Sequence, residues 1–276
     1  MLRIKAFAKI NLSLKILGKR PDGFHELSSI MQSVSLFDEL TLSPSINSIE
    51  LSTNNSKLTN DARNLCYKAV EEFNKAMNLG SDRKKNRLGV KIELEKNIPL
   101  AAGLAGGSAD AAAVLFGLNE LNGNPFSIEK LMEIGARIGS DIPFCLVGGN
   151  CRVEGRGERV TRNQLPETGN NYVLVVPDIE VSTKWSYAHW NTINFDSETT
   201  NNDLEPIAIA NHPVIQEIKN KLVSLGCSYS QMSGSGPSVF GVIDDVERGG
   251  MIAAEMKKEF SRSYFVKPVG RGVVIE

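Results

Sequence analysis

The chain has 276 residues, of which 31 are basic and 32 acidic, so its formal net charge is −1 at pH 7. A chain of this length suits one large domain or two smaller ones around a cleft, and its balanced charge gives no reason to expect nucleic acid or an anionic membrane as a partner. The four cysteines are too few and too widely spaced for a disulfide framework, which favours a reducing, cytoplasmic location.

The N-terminal residues predict a strand. From residue 8 to residue 16, Ala, Ile and Leu alternate with Lys, Asn and Ser, which is the period-2 pattern of a strand with one buried face. Lys9 and Asn11 therefore share its polar face. Basic residues interrupt this N-terminus, so it does not read as a signal or transit segment, and no run approaches the roughly 20 apolar residues that span a bilayer.

The rest of the first half alternates strands with helices. Strands are predicted near residues 30–34, 39–42, 90–95 and 150–154, and helices over about 62–77, after Ser108, from Ser127 to Gly139, and again from residue 140. The second half predicts an α+β layer. Its elements are a strand at 172–176, a helix at 214–225, two strands of which one is 239–243, a helix at 246–260 and a strand at 264–269. Loop-like stretches at 158–169 and 191–202 are where the chain crosses between sub-domains.

The clearest chemical signal is the segment 99–113, PLAAGLAGGSADAAA. Gly103, Gly106 and Gly107 have no side chains, so backbone N–H groups can approach a ligand, and Ser108 begins a helix whose N-terminus attracts anions. A Walker A loop is excluded because no Lys-Ser or Lys-Thr pair follows the glycines, and the spacing does not match GxGxxG. Composition leaves open the alternative that these small residues only let a helix pack closely.

This segment resembles the phosphate-binding motif of the galactokinase, homoserine kinase, mevalonate kinase and phosphomevalonate kinase (GHMP) superfamily. Further segments narrow the resemblance to the 4-diphosphocytidyl-2-C-methyl-D-erythritol kinases. They are residues 8–12 (AKINL), 21–27 (PDGFHEL), 139–144 (GSDIPF) and 233–237 (SGSGP). Each segment is short, but their order and spacing cover nearly the whole chain.

The resemblance implies an α+β (two-layer α/β) fold of two domains. Residues 1–160 would form a domain like ribosomal protein S5, residues 161–276 a ferredoxin-like domain, and the substrate cleft would lie between them. It also implies transfer of the γ-phosphoryl group of ATP to the 2-hydroxyl of 4-diphosphocytidyl-2-C-methyl-D-erythritol, in the non-mevalonate route to isopentenyl diphosphate. The expected partner is a small molecule with a cytidine diphosphate moiety.

The resemblance implies that ATP lies over the glycine-rich segment. The expected ATP-binding residues are Lys96, Pro99, Leu100, Ala101, Ala102, Gly103, Leu104, Ala105, Gly106, Gly107, Ser108 and Ala109. No cluster has metal-ligand spacing, so Mg²⁺ is expected to arrive with the nucleotide, with Ser108 a candidate ligand. Two alternatives stay open: Lys96 as a solvated lysine at a strand end, and Asp110 either pointing away from the phosphates or meeting magnesium through water.

For catalysis, the resemblance implies Asp141 as the catalytic aspartate and Lys9 as its partner. An attacking hydroxyl needs positioning and a proton acceptor, and a nearby ammonium keeps an aspartate ionised. From the residues alone, Asp141 fits a helix cap before Pro143 better than a catalytic role, and Lys9 fits an exposed lysine. Whether Asp141 removes the proton or orients the hydroxyl also stays open.

The substrate end is expected at an aromatic set. The resemblance implies that Phe24 and His25 lie near the cytosine ring and that Tyr187 forms the second wall, with Thr183 four residues earlier on one helical face. Phe24 stands where related enzymes typically have Tyr, so stacking is kept but a hydroxyl contact is lost. Asn11 is expected to bridge a substrate hydroxyl and a carboxylate. The alternative for Tyr187 is a packing residue.

Two other functions remain to be weighed. One is another GHMP kinase, such as a homoserine or mevalonate kinase, against which the cytidine-binding aromatic set argues. The other is a non-catalytic nucleotide-binding relative, against which Lys9, Asp141 and the intact glycine loop argue together.

Overall fold

The computed structural model describes residues 1–46, 48–77, 88–163, 170–192 and 200–276. In these ranges the strands are β1 (Leu2–Lys19), β2 (His25–Ser45), β3 (Ile49–Thr53), β4 (Gly89–Glu95), β5 (Asn150–Gly155), β6 (Arg159–Arg162), β7 (Asn171–Val175), β8 (Tyr229–Met232), β9 (Val239–Ile243), β10 (Ser263–Val266) and β11 (Val273–Ile275). The helices are α1 (Leu65–Ala76), α2 (Gly106–Leu121), α3 (Ile128–Ile138), α4 (Ile142–Val147), α5 (Thr183–His189), α6 (Glu205–Asn211), α7 (Val214–Leu225) and α8 (Val246–Lys257).

The strands form two sheets. The first has the order β11-β1-β2-β4-β3, and β5 and β6 extend it from another stretch of β2. The second has the order β10-β7-β9-β8. The pairing of β3 with β4 is parallel, and the other pairings between these strands are antiparallel. This mixture of helices and largely antiparallel sheets is the expected α+β fold.

Each sheet has its own apolar core. Helices α1 to α4 pack on the first sheet, and α2 comes so close that a Cβ on Gly117 would collide with the side chains of Leu42 and Ile4. Helices α6, α7 and α8 pack on the second sheet around residues such as Val173 and Ile218. The candidate active site, described below, lies between these two buried layers.

A third apolar cluster joins the two sheets at β1. Ala8 and Ile10 of β1 pack with Leu174 and Phe240 of the second sheet, all of them buried. The polar face carries Lys9 and Asn11, which are buried too, so the expectation that this face is exposed is wrong there. The period-2 pattern predicted the strand, but the opposite face is also covered by protein.

Several predicted elements are confirmed with their caps. The helix expected over 62–77 is α1, and the side chain of Asn64 accepts a hydrogen bond from the backbone N–H of Cys66. The hydroxyl of Ser127 caps α3 by accepting from the N–H of Lys130. Both caps satisfy N–H groups that a helix leaves without partners at its start.

Other predicted elements need correction. The two short strands expected at 30–34 and 39–42 are parts of the single strand β2, whose pairing with β1 has register shifts. Buried polar residues such as Ser33 and Asp38 interrupt the alternation that would have revealed its length. The predicted loop at 158–169 contains β6, while 164–169 lies outside the described residues, as does 193–199 of the other predicted crossing.

The division at residue 160 stays a proposal. Strand β6 runs across that position, and β11, at the end of the chain, pairs with β1 in the first sheet. The first sheet therefore takes strands from both ends of the sequence. Among the helices described, none has the length and apolar character needed to cross a membrane.

Candidate active site

A cleft of about 1400 Å³ gathers most of the residues that the sequence singled out. Its lining includes Lys9, Asn11, Phe24, His25, Lys96, Pro99, Leu100, Ala101, Ala102, Gly103, Ala105, Gly106, Gly107, Ser108, Asp141, Thr183 and Tyr187. Two residues of the predicted ATP set, Leu104 and Ala109, are not part of this lining and are buried in the apolar clusters. Residues from both sheets thus face one space.

The glycine-rich loop owes its shape to left-handed backbone conformations. Ala101, Gly103 and Ala105 have φ angles of 51°, 73° and 56°. At Gly103 only glycine fits, because an added Cβ would also collide with the carbonyl oxygen of Ser233. Helix α2 begins directly after Ala105, so the unpaired N–H groups at its N-terminus are presented at the loop, where an anion is favoured.

Lys9 lies at the centre of the site and is buried. Its ammonium donates to the side-chain oxygen of Asn11 at 2.6 Å and to the carbonyl oxygen of Gly103 at 2.8 Å. Burial lowers the pKa of Lys9, although the charge of Asp141 acts in the opposite direction. The lysine predicted from strand β1 therefore contacts the predicted phosphate loop directly.

Asn11 is held as firmly as Lys9. Its amide nitrogen donates to the hydroxyl of Ser29 at 2.9 Å, and its backbone N–H donates to the hydroxyl of Ser233 at 3.2 Å. Its side-chain oxygen is the acceptor for Lys9. The described contacts of Asn11 orient the lysine, and the predicted contact with a substrate hydroxyl stays a prediction.

Asp141 occupies the N-cap position of α4, but its side chain makes no capping hydrogen bond. It is half-buried and lines the cleft. The backbone beside it is closely packed, since a Cβ on Gly157 would lie 2.9 Å from the carbonyl oxygen of Ser140. Asp141 therefore has the position of a helix cap, but its carboxylate does not cap the helix. The carboxylate faces the cleft.

Lys96 is not the solvated strand-end lysine of the alternative interpretation. Its ammonium forms an ion pair with Asp38 and a second with Asp110 at 2.9 Å, and these side chains are at most 3% exposed. Burial, followed by the charge of Asp38, raises the pKa of Asp110 well above its usual range, although Lys96 acts against this rise. A nucleotide contact by Lys96 stays a prediction.

Asp38 is a site residue that sequence reasoning missed. It lies 58 positions before Lys96, so no local spacing connects the two residues. The available signal was its place in the apolar stretch SLFDEL of β2, because a buried aspartate nearly always has a partner.

The aromatic residues are brought to one end of the cleft. His25 stacks on Tyr187 with ring centroids 5.3 Å apart, and Trp190 meets His25 edge-on at 6.4 Å. Phe24 is 47% exposed, and the guanidinium of Arg156 lies 5.1 Å from its ring centre. Because the His25 ring covers one face of Tyr187, a base reaches that face only if His25 moves aside.

The predicted supporting loop at 233–237 closes over Lys9. The hydroxyl of Ser233 donates to the carbonyl oxygen of Gly103 at 3.0 Å, and a Cβ on Gly234 would lie 3.2 Å from the ammonium of Lys9. The hydroxyls of Thr183 and Ser235 are 2.8 Å apart. The loop therefore connects α5, the glycine-rich loop and strand β1.

Asn202 is a second residue that the sequence did not reveal. It is fully buried, and its amide donates to the carbonyl oxygens of Met232 and Gly234 at 2.9 and 2.8 Å. Its side-chain oxygen accepts from the N–H of Leu204. It thereby fixes the loop that lies on Lys9.

Within the described part of the chain, no group of three or more His, Cys, Asp or Glu side chains could hold a metal ion. Ser108 lines the cleft in the first turn of α2. The arrival of Mg²⁺ with the nucleotide stays a prediction.

Comparisons with known proteins identify the family of this chain. The model of the GHMP kinases N terminal domain matches residues 64–149, and that of the GHMP kinases C terminal domain matches residues 191–262. A 4-diphosphocytidyl-2-C-methyl-D-erythritol kinase of Thermoanaerobacter pseudethanolicus is 38% identical, over 99% of this chain and 98% of its own length. One from Clostridium kluyveri is 40% identical, over 96% and 99%.

Solved structures extend the likeness to the fold. A crystal structure of a 4-(cytidine 5'-diphospho)-2C-methyl-D-erythritol kinase has a TM-score of 0.79 at 29% identity, covering 97% of this chain and 99% of its own. Homoserine kinase from Cytophaga hutchinsonii has a TM-score of 0.78 at 20% identity, covering 100% and 97%, which is a likeness of fold alone.

Proposed function

The chain belongs to the 4-diphosphocytidyl-2-C-methyl-D-erythritol kinase family of the GHMP kinases, and we propose that it transfers the γ-phosphoryl group of ATP to the 2-hydroxyl of 4-diphosphocytidyl-2-C-methyl-D-erythritol. The products are the 2-phosphate of that compound and ADP. In a cell the reaction serves the non-mevalonate route to isopentenyl diphosphate.

One observation carries the proposal: the ammonium of Lys9 contacts the glycine-rich loop at Gly103 and shares a cleft with Asp141. Phosphoryl transfer needs positioning and electrostatic stabilisation more than covalent chemistry by the protein. A helix N-terminus, a buried ammonium and a carboxylate around one space supply both.

In the proposed mechanism, the triphosphate lies over the loop and the first turn of α2, where backbone N–H groups hold its oxygens. The 2-hydroxyl lies between Asp141 and the γ-phosphorus. Its oxygen forms a bond to phosphorus while the bond from phosphorus to the β–γ bridging oxygen breaks, and the proton passes to Asp141. Lys9 offsets the charge that develops on the transferred group.

Mg²⁺ is part of the proposal as a companion of ATP, and when bound it neutralises charge on the phosphate oxygens. Ser108 is the candidate protein ligand, because its hydroxyl lines the cleft at the start of α2. The protein's own contribution at this end is the cradle of backbone donors and the exclusion of water from Lys9.

At the other end of the cleft, we assign the cytosine ring to Phe24, His25 and Tyr187. Burial, followed by the charge of Lys19, lowers the pKa of His25, so its imidazole is neutral at pH 7 and one ring nitrogen can accept while the other donates. Thr183 stands four residues before Tyr187 on α5.

The four cysteines are free and buried, which fits the cytoplasm as the proposed location.

A coupled assay of ADP release tests the proposal. The purified protein is given ATP and Mg²⁺ with the cytidyl compound, homoserine or mevalonate in turn. We expect turnover with the cytidyl compound alone. Phosphorylation of homoserine or mevalonate but not of the cytidyl compound would assign the chain to another activity of the superfamily.

A further inference from the structure

Asp38 accepts three donors at the start of the glycine-rich loop. Besides the ammonium of Lys96, its carboxylate accepts the backbone N–H groups of Asn97 at 2.6 Å and Ile98 at 2.8 Å. The side chain is fully buried. One carboxylate on β2 therefore fixes the three residues that lead from β4 towards the loop.

Lys96 carries this anchorage on to helix α2. A Cβ on Gly106 would lie 2.8 Å from the ammonium of Lys96, so the lysine lies directly against the first residue of the helix. The same ammonium reaches Asp110 in the following turn at 2.9 Å. Asp38 thus holds the entrance of the loop directly and the helix N-terminus through Lys96.

The two carboxyl groups of this cluster are not equivalent. Both oxygens of Asp38 accept hydrogen bonds, whereas Oδ1 of Asp110 is buried without a hydrogen-bond partner in the described structure. Among the described hydrogen bonds, it is Asp38 that holds the backbone at the start of the loop, through the N–H groups of Asn97 and Ile98.

We propose that Asp38 is a positioning residue for the ATP phosphates, which shapes the glycine-rich loop through Lys96, Asn97 and Ile98. The inference rests on the proposed function in one respect, namely that this loop binds ATP. It adds one residue, on β2, that nothing in the family comparison assigns.

Three variants test the inference: Asp38→Asn, Asp110→Asn and, as a matched control, Glu39→Gln on the neighbouring position of β2. The dissociation constant for ATP is measured by calorimetry, with KM for each substrate, kcat and the thermal unfolding midpoint. We expect Asp38→Asn to weaken ATP binding about tenfold or more and to leave the KM for the cytidyl compound within about twofold, because an amide gives Lys96 no charge.

Asp110→Asn leaves Asp38 and its hydrogen bonds to the N–H groups of Asn97 and Ile98 in place, so we expect ATP binding to weaken by no more than about threefold. Glu39→Gln should resemble the wild type. If Asp38→Asn does not fold, the double variant Asp38→Asn, Lys96→Met takes its place. It removes both charges of the pair and is also expected to weaken ATP binding.

Unchanged ATP affinity in a folded Asp38 variant would overturn the inference, even if the unfolding midpoint fell. Equal losses in Asp110→Asn and Asp38→Asn would overturn the distinct role of Asp38 in shaping the loop. Because calorimetry needs no acceptor, ATP binding without turnover of the cytidyl compound would contradict the proposed function and leave this inference standing.

Discussion

The ammonium of Lys9 lies 2.8 Å from the carbonyl oxygen of Gly103. This contact ties strand β1 of the first sheet to the glycine-rich loop, 94 residues further along the chain. Ser233 donates to the same carbonyl oxygen from the second half of the chain. Three distant segments therefore meet at one peptide group, and a change at any of them should be felt at the other two.

Replacing the carboxylate of Asp141 should abolish most of the turnover. In Asp141→Asn the amide cannot accept the hydroxyl proton, so we expect kcat to fall about 100-fold to 10,000-fold while the KM for ATP changes little. Steady-state kinetics with both substrates varied will show this. The exposed Asp244, changed to Asn, is the matched control, and equal activity of the two variants would remove Asp141 from the chemistry.

Activity should fall on the alkaline side at a pH below that of an ordinary lysine. A free lysine loses its proton near pH 10.4. Burial lowers the pKa of Lys9, so its ammonium loses the proton at a lower pH than that. A pH profile of kcat measures this. The residual activity of Lys9→Met should lack this fall of kcat at alkaline pH. The same alkaline fall in both proteins would mean that another group titrates.

The same pKa shift predicts how stability depends on pH. Between the lowered pKa of Lys9 in the folded state and its ordinary value, the unfolded chain binds more protons than the folded chain. The contribution of Lys9 to the free energy of unfolding therefore rises with pH in that window and is constant below it. Denaturant titrations should show the free energy of unfolding of the wild type rising with pH relative to that of Lys9→Met. A fall of the wild type relative to the variant would contradict the lowered pKa.

The aromatic end of the cleft should govern affinity for the cytidyl compound. Stacking of a base on an aromatic ring contributes about 1–3 kcal/mol, so Tyr187→Ala should raise the KM for that substrate roughly 5-fold to 150-fold and leave the KM for ATP unchanged. Tyr187→Phe keeps the ring and should stay within about twofold. An unaltered KM in Tyr187→Ala would assign this tyrosine to packing.

Gly103 and Gly250 should respond oppositely to alanine. Gly103 has a φ of 73°, and an added Cβ would collide with Ser233, so Gly103→Ala should lower the free energy of unfolding by at least 1–2 kcal/mol, roughly the cost of that conformation alone. Gly250 lies within α8 with nothing within 4 Å of an added Cβ, so Gly250→Ala should stabilise the helix by about 0.5–1 kcal/mol. Denaturant unfolding compares them, and equal effects would contradict the loop geometry.

Much of the fold is readable from local patterns. The alternation around Lys9 predicted β1, and Ser127 marked a helix start that the structure has. Such signals are local because a cap or a strand face depends on residues a few positions apart. The glycine-rich segment is of the same kind, since Gly103 and α2 follow each other in sequence.

The rest depends on partners far apart in sequence. Lys96 resembles a solvated lysine until Asp38 is placed beside it, and Lys9 resembles an exposed lysine until the glycine-rich loop and the loop at 233–237 are placed over it. Asn202 gave no signal at all, because its acceptors at Met232 and Gly234 come from another segment. Buried polar residues of this kind are found by asking which partner satisfies them, and that partner is known only from the fold.

The position of the transferred phosphate tests the central claim most directly. The purified protein is incubated with ATP, Mg²⁺ and 4-diphosphocytidyl-2-C-methyl-D-erythritol, and the product is analysed by phosphorus NMR and mass spectrometry. We predict one new phosphomonoester on the 2-hydroxyl, an intact cytidine diphosphate and one equivalent of ADP. A phosphate on any other hydroxyl would contradict the account. So would a protein that binds ATP but leaves the cytidyl compound unmodified.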